Sequence, residues 1–208
     1  MRQILYQNCS RRTLEKGACM DWRERLKQLT GSEKEDESCQ WHAVFVMTGN
    51  EQTVKEKIAY AFKDTDILPV VPKRRIKERK NGIWHEKIKP LFPGYILIKG
   101  HISTDDYYIL KTVPGILRIL KDNNELYRIH PDEIEIISRL MIDGEIIGVS
   151  TAFQQGDSIV ITDGPLLGME GNIQFIDKRK GRVRVYLSFL GDKRTVDLSI
   201  KFIDKPTK

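Results

Sequence analysis

GDSIVITDGPLLGMEGNIQFIDKRKGRVRVYL, residues 156–187, is the stretch on which the reading of this chain turns. Apolar and polar residues alternate over 158–162 and 172–177, the period-two pattern of half-buried strands. Gly164, Gly168 and Gly171 bracket the short connection between them, where a tight turn calls for positive φ and a Cβ is poorly tolerated. Lys178, Arg179, Lys180 and Arg182 then place four positive charges around Gly181. Further strands are expected over 182–189 and 195–198, joined across Gly191, Asp192 and Lys193, with Phe202 and Ile203 closing a small barrel. The β-branched Ile159, Val160, Ile161, Val183, Val185 and Val196 favour a constitutive barrel. A small sheet with basic loops suits contact with nucleic acid or an acidic protein better than it suits a catalytic centre.

Upstream, WHAVFVM (41–47) reads as a buried strand. Residues 51–62 place Val54, Ile58, Ala61 and Phe62 at helical spacing. PLFPGYILI (90–98) is an apolar strand entered through Pro93 and Gly94. Alternation puts Tyr95 and Leu97 on one face of it and Ile96 and Ile98 on the other. One face must pack on helices, which leaves the other available. Between these segments, Asn81 and Gly82 are the strongest short hairpin signal, flanked by 67–77 and 83–91. The flanking strands are so basic that the hairpin is expected to project into solvent. A short helix is expected over 105–111 with Thr104 as N-cap, a strand over 116–120, and a turn at Asn123 and Asn124. A further helix over 131–141 has proline in its first turn and Asp132, Glu133 and Glu135 near its positive end.

Residues 156–187 resemble the KOW motif, found in ribosomal proteins and in the NusG transcription elongation factors. The order strand, helix, then a strand led by FPGY (92–95), with TVPG at 112–115, resembles the NusG N-terminal (NGN) domain. The combination covers about residues 41–204. It implies an α+β protein: an NGN domain, an antiparallel sheet with flanking helices, followed by a KOW small β-barrel of SH3-like type. The expected organisation is an N-terminal extension (1–40), an RNA polymerase-binding NGN-like domain (41–141), a flexible linker carrying Gly144 and Gly148 (142–152), and the KOW domain (153–208), the two domains being independent.

Composition agrees with this without leading to it. The net charge is +6 over 208 residues. From 73 to 89 there are eight Lys or Arg against two Glu, and from 153 to 208 ten basic against seven acidic residues. Such patches mark either polyanion contact or a solvated face. Cys9, Cys19 and Cys39 fit no zinc spacing, and a reducing cytoplasm is their simplest setting. No apolar run is long enough to span a bilayer or to form a signal-peptide core. Residues 32–38, SEKEDES, have the composition of a disordered segment. Codons for Lys16, Gly17 and Ala18 can spell a purine-rich ribosome-binding sequence, so Met20 is a candidate native start. His42, His85, His101 and His130 sit in no catalytic or metal spacing, and neither a P-loop nor GxGxxG occurs. Asp105 and Asp106 at a helix start read as capping rather than acid–base chemistry. No enzyme activity, metal or cofactor is expected.

The resemblance implies more specific partners. NGN domains dock on the coiled coil of the RNA polymerase clamp through an apolar patch, which here would comprise Phe45, Phe92, Tyr95 and Leu97. A second polymerase contact would fall at Asp105, Asp106, Tyr107 and Tyr108. KOW domains of general NusG bind termination factor Rho or a ribosomal protein. This chain departs from that pattern: SFLGDKRTVDL (188–198) lacks the usual proline and carries Lys193 and Arg194, and NNELYRIHPDEIEII (123–137) replaces a proline-rich connection. These departures resemble specialised NusG paralogues of the RfaH or LoaP antiterminator type, monomers serving selected long operons. Nucleic-acid contact, to a nascent RNA hairpin or non-template DNA, would then fall on Lys178, Arg179, Lys180, Arg182, Lys193 and Arg194, where both basic turns can converge on one rim. The hairpin cations Lys73, Arg74 and Arg75 would add to it. Other elongation factors are possible partners. A general NusG-type elongation or termination factor, or a ribosomal-type structural RNA-binding protein, are the alternative readings.

Overall fold

Strand β1 (Trp41–Val46) is the centre of the N-terminal half, and its alternation sorts the two sides of its sheet. It pairs antiparallel with β5 (Tyr95–Lys99) on one side and β6 (Ile116–Ile119) on the other, with β2 (Leu68–Val70) beyond β5. Val44, Val46, Ile96 and Ile98 form one core with Val54 and Ile58 of α1 (Glu51–Ala61), Phe62, and Leu110 of α2 (Thr104–Thr112). Ala43 and Leu97 face the other way, against Ile134, Ile137 and Leu140 of α3 (Pro131–Leu140). The sheet is therefore covered on both faces. The computed structural model describes residues 40–203 apart from Asn124, 142–143 and 156–157. The expectations for residues 1–39, including the start at Met20 and the three cysteines, lie outside the described residues.

The FPG turn is fixed from α1. Glu51 is buried, and its carboxylate accepts from the Gly49 and Gly94 amides at 2.9 and 2.8 Å. Gly94 has φ +83°, and a Cβ there would sit 3.0 Å from the Phe45 ring. Asn81 and Gly82, at φ 52° and 82°, turn the β3 (Lys73–Lys80) and β4 (Ile83–Pro90) hairpin as its sequence predicts. The N-cap of α2 is Ser103, one residue before the expected Thr104. Only Ser103 has an acidic residue at the third helical position, and it closes a reciprocal capping box with Asp106.

The C-terminal half is a five-stranded sheet in the order β11 (Ser158–Asp163), β10 (Ser150–Gln155), β14 (Asp192–Phe202), β13 (Arg182–Phe189), β12 (Ile173–Asp177). Val183, Val185, Leu187 and Phe189 of β13 point inward in strict alternation. Strand β14 is longer than the expected 195–198. It pairs with β13 from Asp192 to Ser199, then runs parallel to β10 through Ile200, Lys201 and Phe202. The register leaves Leu190 and Gly191 as a two-residue turn, both at positive φ (58° and 77°). Positive φ at both central residues is the requirement of a type I′ hairpin, so the turn falls earlier than the glycine alone suggests.

Residues 142–152, expected to be a flexible joint, are partly structured. Ile146–Ile147 form β9, parallel to Lys73 and Arg74 of β3, and Ser150 opens β10. Glu145 anchors the segment: its carboxylate takes ion pairs from Lys55 and from Lys73 (3.5 Å), and its carbonyl accepts from the Lys73 amide at 2.7 Å. Two β-branched residues beside an open strand edge supply a short ladder that the flanking glycines do not prevent.

Gly164 provides a direct test of the barrel. It has φ +93°, and a Cβ would fall 2.6 Å from Ser150 Cα and 2.9 Å from Val149 O. Gly164→Ala should cost about 2 kcal/mol or more and lower Tm by roughly 4–8 °C. Gly171→Ala, whose added Cβ meets no atom within 4 Å, should stay within about 0.5 kcal/mol of the parent. Thermal unfolding followed by circular dichroism compares the two.

Candidate functional site

The apolar residues expected to meet polymerase form one cluster in the structure, and the barrel sits on it. The Tyr95 ring packs edge-on against Phe45 at 5.3 Å and against Phe189 at 5.3 Å. Phe92 stacks on Phe189 with centroids 3.9 Å apart and planes within 5°. The Arg194 guanidinium lies over both rings, 5.1 Å from Tyr95 and 5.4 Å from Phe189. Phe92 and Leu97 are buried, and Phe45 and Tyr95 are half-buried. The face that alternation left available is thus occupied by α3 and by the end of β13.

Polar groups latch the same contact. Glu133, in the first turn of α3, is buried, and its two carboxylate oxygens accept from the Leu190 and Gly191 amides, both at 3.0 Å. A carboxylate accepting two backbone N–H groups is a charge-assisted and directional tie. Along the β3 edge, Arg74 donates to the Asp197 carbonyl at 2.7 Å. Ser199 Oγ donates to the Arg75 carbonyl, and Arg182 donates to that of Lys77. Burial pushes the Arg74 guanidinium below its usual range; Asp197 opposes this and Arg182 adds to it. The guanidinium remains charged at neutral pH. An edge strand that would otherwise expose unpaired carbonyls is covered by barrel side chains.

These latches redistribute the cations expected to hold nucleic acid. The turn at 178–181 precedes β13, while Lys193 and Arg194 follow its far end. Seven residue steps of strand separate the ends, roughly 23 Å. The two basic turns therefore do not converge on one rim. Arg74, Arg182 and Arg194 are spent on the contact between halves. Lys73 is paired with Glu145, Arg75 with Glu86 at 3.2 Å, and Lys193 lies over the Tyr186 ring at 5.1 Å. Lys87 and Lys89 hold Glu78, whose carboxyl they push down to about 2. Lys178, Arg179 and Lys180 remain together at an exposed turn, with the Asp177 carboxyl held below its usual range by the Lys180 amide and ammonium.

The α2 residues split. Asp106 is committed to the capping box, and Tyr107 packs against Tyr108 and the Lys121 ammonium, 4.2 Å from the ring. Tyr108 is exposed. Tyr107 and Tyr108 border a cleft of about 410 Å³ with His42, His101 and Arg128. His42 is buried, with Nδ1 3.0 Å from the Tyr127 carbonyl, and burial pushes its imidazole down. Among the described residues, no group of three His, Cys, Asp or Glu could hold a metal ion, and no helix is long and apolar enough to cross a membrane. Phe189, Glu133, Asp197 and Ser199 were not legible as functional. Their roles come from pairings between halves, for which the sequence has no local signal.

The fold and these surfaces define a two-part binding protein: an α+β sheet domain closed by a small basic barrel. A family model described as transcription termination factor nusG matches residues 39–138. The transcription termination/antitermination protein NusG of Rickettsia prowazekii (strain Madrid E) is 27% identical over 172 residues, 80% of this chain and 90% of that protein. The protein of the same description from Bacillus subtilis (strain 168) is 26% identical over 174 residues, 79% and 97% of the respective chains. A solved structure, described as domain interaction in Thermotoga maritima NusG, shares the fold with a TM-score of 0.51 at 22% identity, covering 77% of this chain and 93% of that one. The N-terminal domain thus matches the NusG family model, and most of the chain is similar to transcription termination/antitermination proteins of that name.

Glu133→Ala removes the acceptor for two amides of the contact. It should weaken the contact by about 1–3 kcal/mol. Hydrogen exchange read by NMR should then accelerate at the Leu190 and Gly191 amides, roughly tenfold or more, while the α1 amides keep their rates.

Proposed function

We propose that this chain is a specialised NusG-type factor that promotes processive antitermination on selected operons. It binds the clamp coiled coil of RNA polymerase through Phe45, Phe92, Tyr95 and Leu97 once the barrel leaves that face. The observation that carries the reading is Arg194 over Tyr95 and Phe189. Arg194 is one of the residues by which the chain departs from the general NusG pattern, and it helps close the aromatic face. A factor whose binding face is covered at rest suits conditional recruitment better than constitutive attachment. Leaving the face exposes the aromatic cluster to a partner that can bury it again.

In this reading Lys178, Arg179 and Lys180 contact a nascent RNA hairpin or non-template DNA. Arg182 and Arg194 become fully available only in the separated state, whereas Lys193 is exposed already. The exposed Tyr108, beside Asp105, Asp106 and Tyr107, would meet a second polymerase element. The flexible joint at 142–152 would be a property of the separated state, with β9 released from β3. The factor acts in the cytoplasm as a monomer without a cofactor. The names of the relatives favour a second reading, a general elongation and termination factor with the same polymerase contact. A second NusG gene in the same genome separates the two.

Tyr95→Ala and Phe45→Ala should each weaken capture of RNA polymerase by about 2 kcal/mol, near 30-fold. Arg194→Ala should act oppositely and raise capture a few-fold, because it loosens the cover. Pull-down with folded variants measures all three. Wild-type capture by both aromatic variants removes the assignment of the face.

A further inference from the structure

We infer that the cleft between the β3–β4 hairpin and the turn at 178–181 is a binding site for single-stranded nucleic acid, with Trp84 as the platform on which an unpaired base stacks. The inference builds on the nucleic-acid reading of Lys178, Arg179 and Lys180 and adds a second wall from the other half of the chain.

The cleft encloses about 810 Å³. That is within the range of roughly 300–1,000 Å³ typical of ligand clefts. One wall is Lys77, Trp84, His85 and Glu86 from the hairpin; the other is residues 178–181 and 199–202 from the barrel. Its charge is one-sided. Lys77, Lys178, Arg179, Lys180 and Lys201 line it against a single lining carboxylate, Glu86, which is already paired with Arg75 at 3.2 Å. Lys77, Arg179 and Lys201 make no ion pair among the described residues, so their fields are open to a polyanion.

Trp84 is the decisive residue. It is 42% exposed, lies opposite Arg79 in the β3–β4 register, and makes no ring contact among the described residues. An exposed indole beside unpaired cations is the combination that single-strand binders use: cations follow the backbone and an aromatic face takes the bases whatever their sequence. On the facing wall, the Phe202 ring lies 5.8 Å from the Lys178 ammonium and gives the cleft a second aromatic surface.

The two walls meet where Arg182 donates to the Lys77 carbonyl and Ser199 to that of Arg75. The site is therefore complete only when the halves are together. A strand bound across it favours the closed arrangement, and polymerase engaged through the Tyr95 face weakens its hold. This separates the cleft from the nucleic-acid surface that the barrel would present alone.

The test uses the full chain and fluorescence anisotropy. The probes are a roughly 12-nucleotide labelled RNA of mixed unstructured sequence, the DNA strand of the same sequence, and the blunt RNA duplex. The wild type should bind a single strand at least several-fold more tightly than the duplex. Trp84→Ala should weaken that binding about tenfold, and Trp84→Phe should restore most of it, because a benzene ring still stacks. Lys77→Glu and Lys201→Glu should each reduce the log–log salt slope by roughly 0.7. Tighter binding of RNA assigns the strand to the transcript and of DNA to a displaced DNA strand, and both support the site. Equal affinity of Trp84→Ala and wild type overturns it, as does equal affinity for duplex and strand, or displacement by poly-glutamate as effective as by unlabelled strand. If Lys178→Glu with Arg179→Glu weakens binding while Trp84→Ala and Lys77→Glu do not, the barrel binds alone: the composite cleft is wrong and the nucleic-acid reading of the turn stands.

Discussion

The stack of Phe92 on Phe189 is the contact on which the architecture depends. At 3.9 Å and nearly parallel, it joins the residue that leads the FPGY strand to the last residue of β13. Tyr95 closes on it edge-first, and Arg194 lies over Tyr95 and Phe189. With these rings in place, Leu97 and Ala43 share one core with the barrel residues Val185, Leu187 and Leu198. Without them, the sheet would present an aromatic face to solvent, the kind of patch that marks an interaction site. The same residues can therefore serve an internal contact or an external one, and the two are mutually exclusive.

Charge placement follows from that contact. Docking commits Arg74 and Arg182 to carbonyls across the contact and Arg194 to aromatic rings. Much of the charge on the hairpin and barrel is thus consumed internally. What stays outward is concentrated where the hairpin and the 178–181 turn approach each other. A net charge of +6 says little about this; it is the pairing of individual cations that leaves this cleft basic.

Local signals carried most of the fold. The apolar runs 41–47 and 90–98 gave the central strands of the sheet domain, alternation gave 158–162 and 172–177, and Asn81 with Gly82 gave the hairpin turn, because period and positive φ are decided by neighbours in sequence. Boundaries shifted where a side chain acted at a distance of a few residues: Ser103 took the cap from Thr104 through Asp106, and Leu190 entered the turn because the β13–β14 register required it. The four residues of the aromatic face were named from a resemblance and do lie together in space. Their cover was not legible. Phe189 reads as one more inward residue of an alternating strand, and Glu133 as a carboxylate at a helix N-terminus. Only the tertiary arrangement shows that Glu133 holds two amides of a turn 57 and 58 residues away. β9 was hidden for the same reason, since its partner lies in β3.

The central claim is that the barrel rests on the aromatic face of the sheet domain in the free protein. Backbone ¹⁵N relaxation of the isolated full-length chain, combined with nuclear Overhauser effects between the Phe92 and Phe189 rings, tests it most directly. The account predicts ring-to-ring effects and one shared rotational correlation time for residues of β1, β5 and β13. Separate correlation times for the two halves, with no effect between those rings, would contradict it.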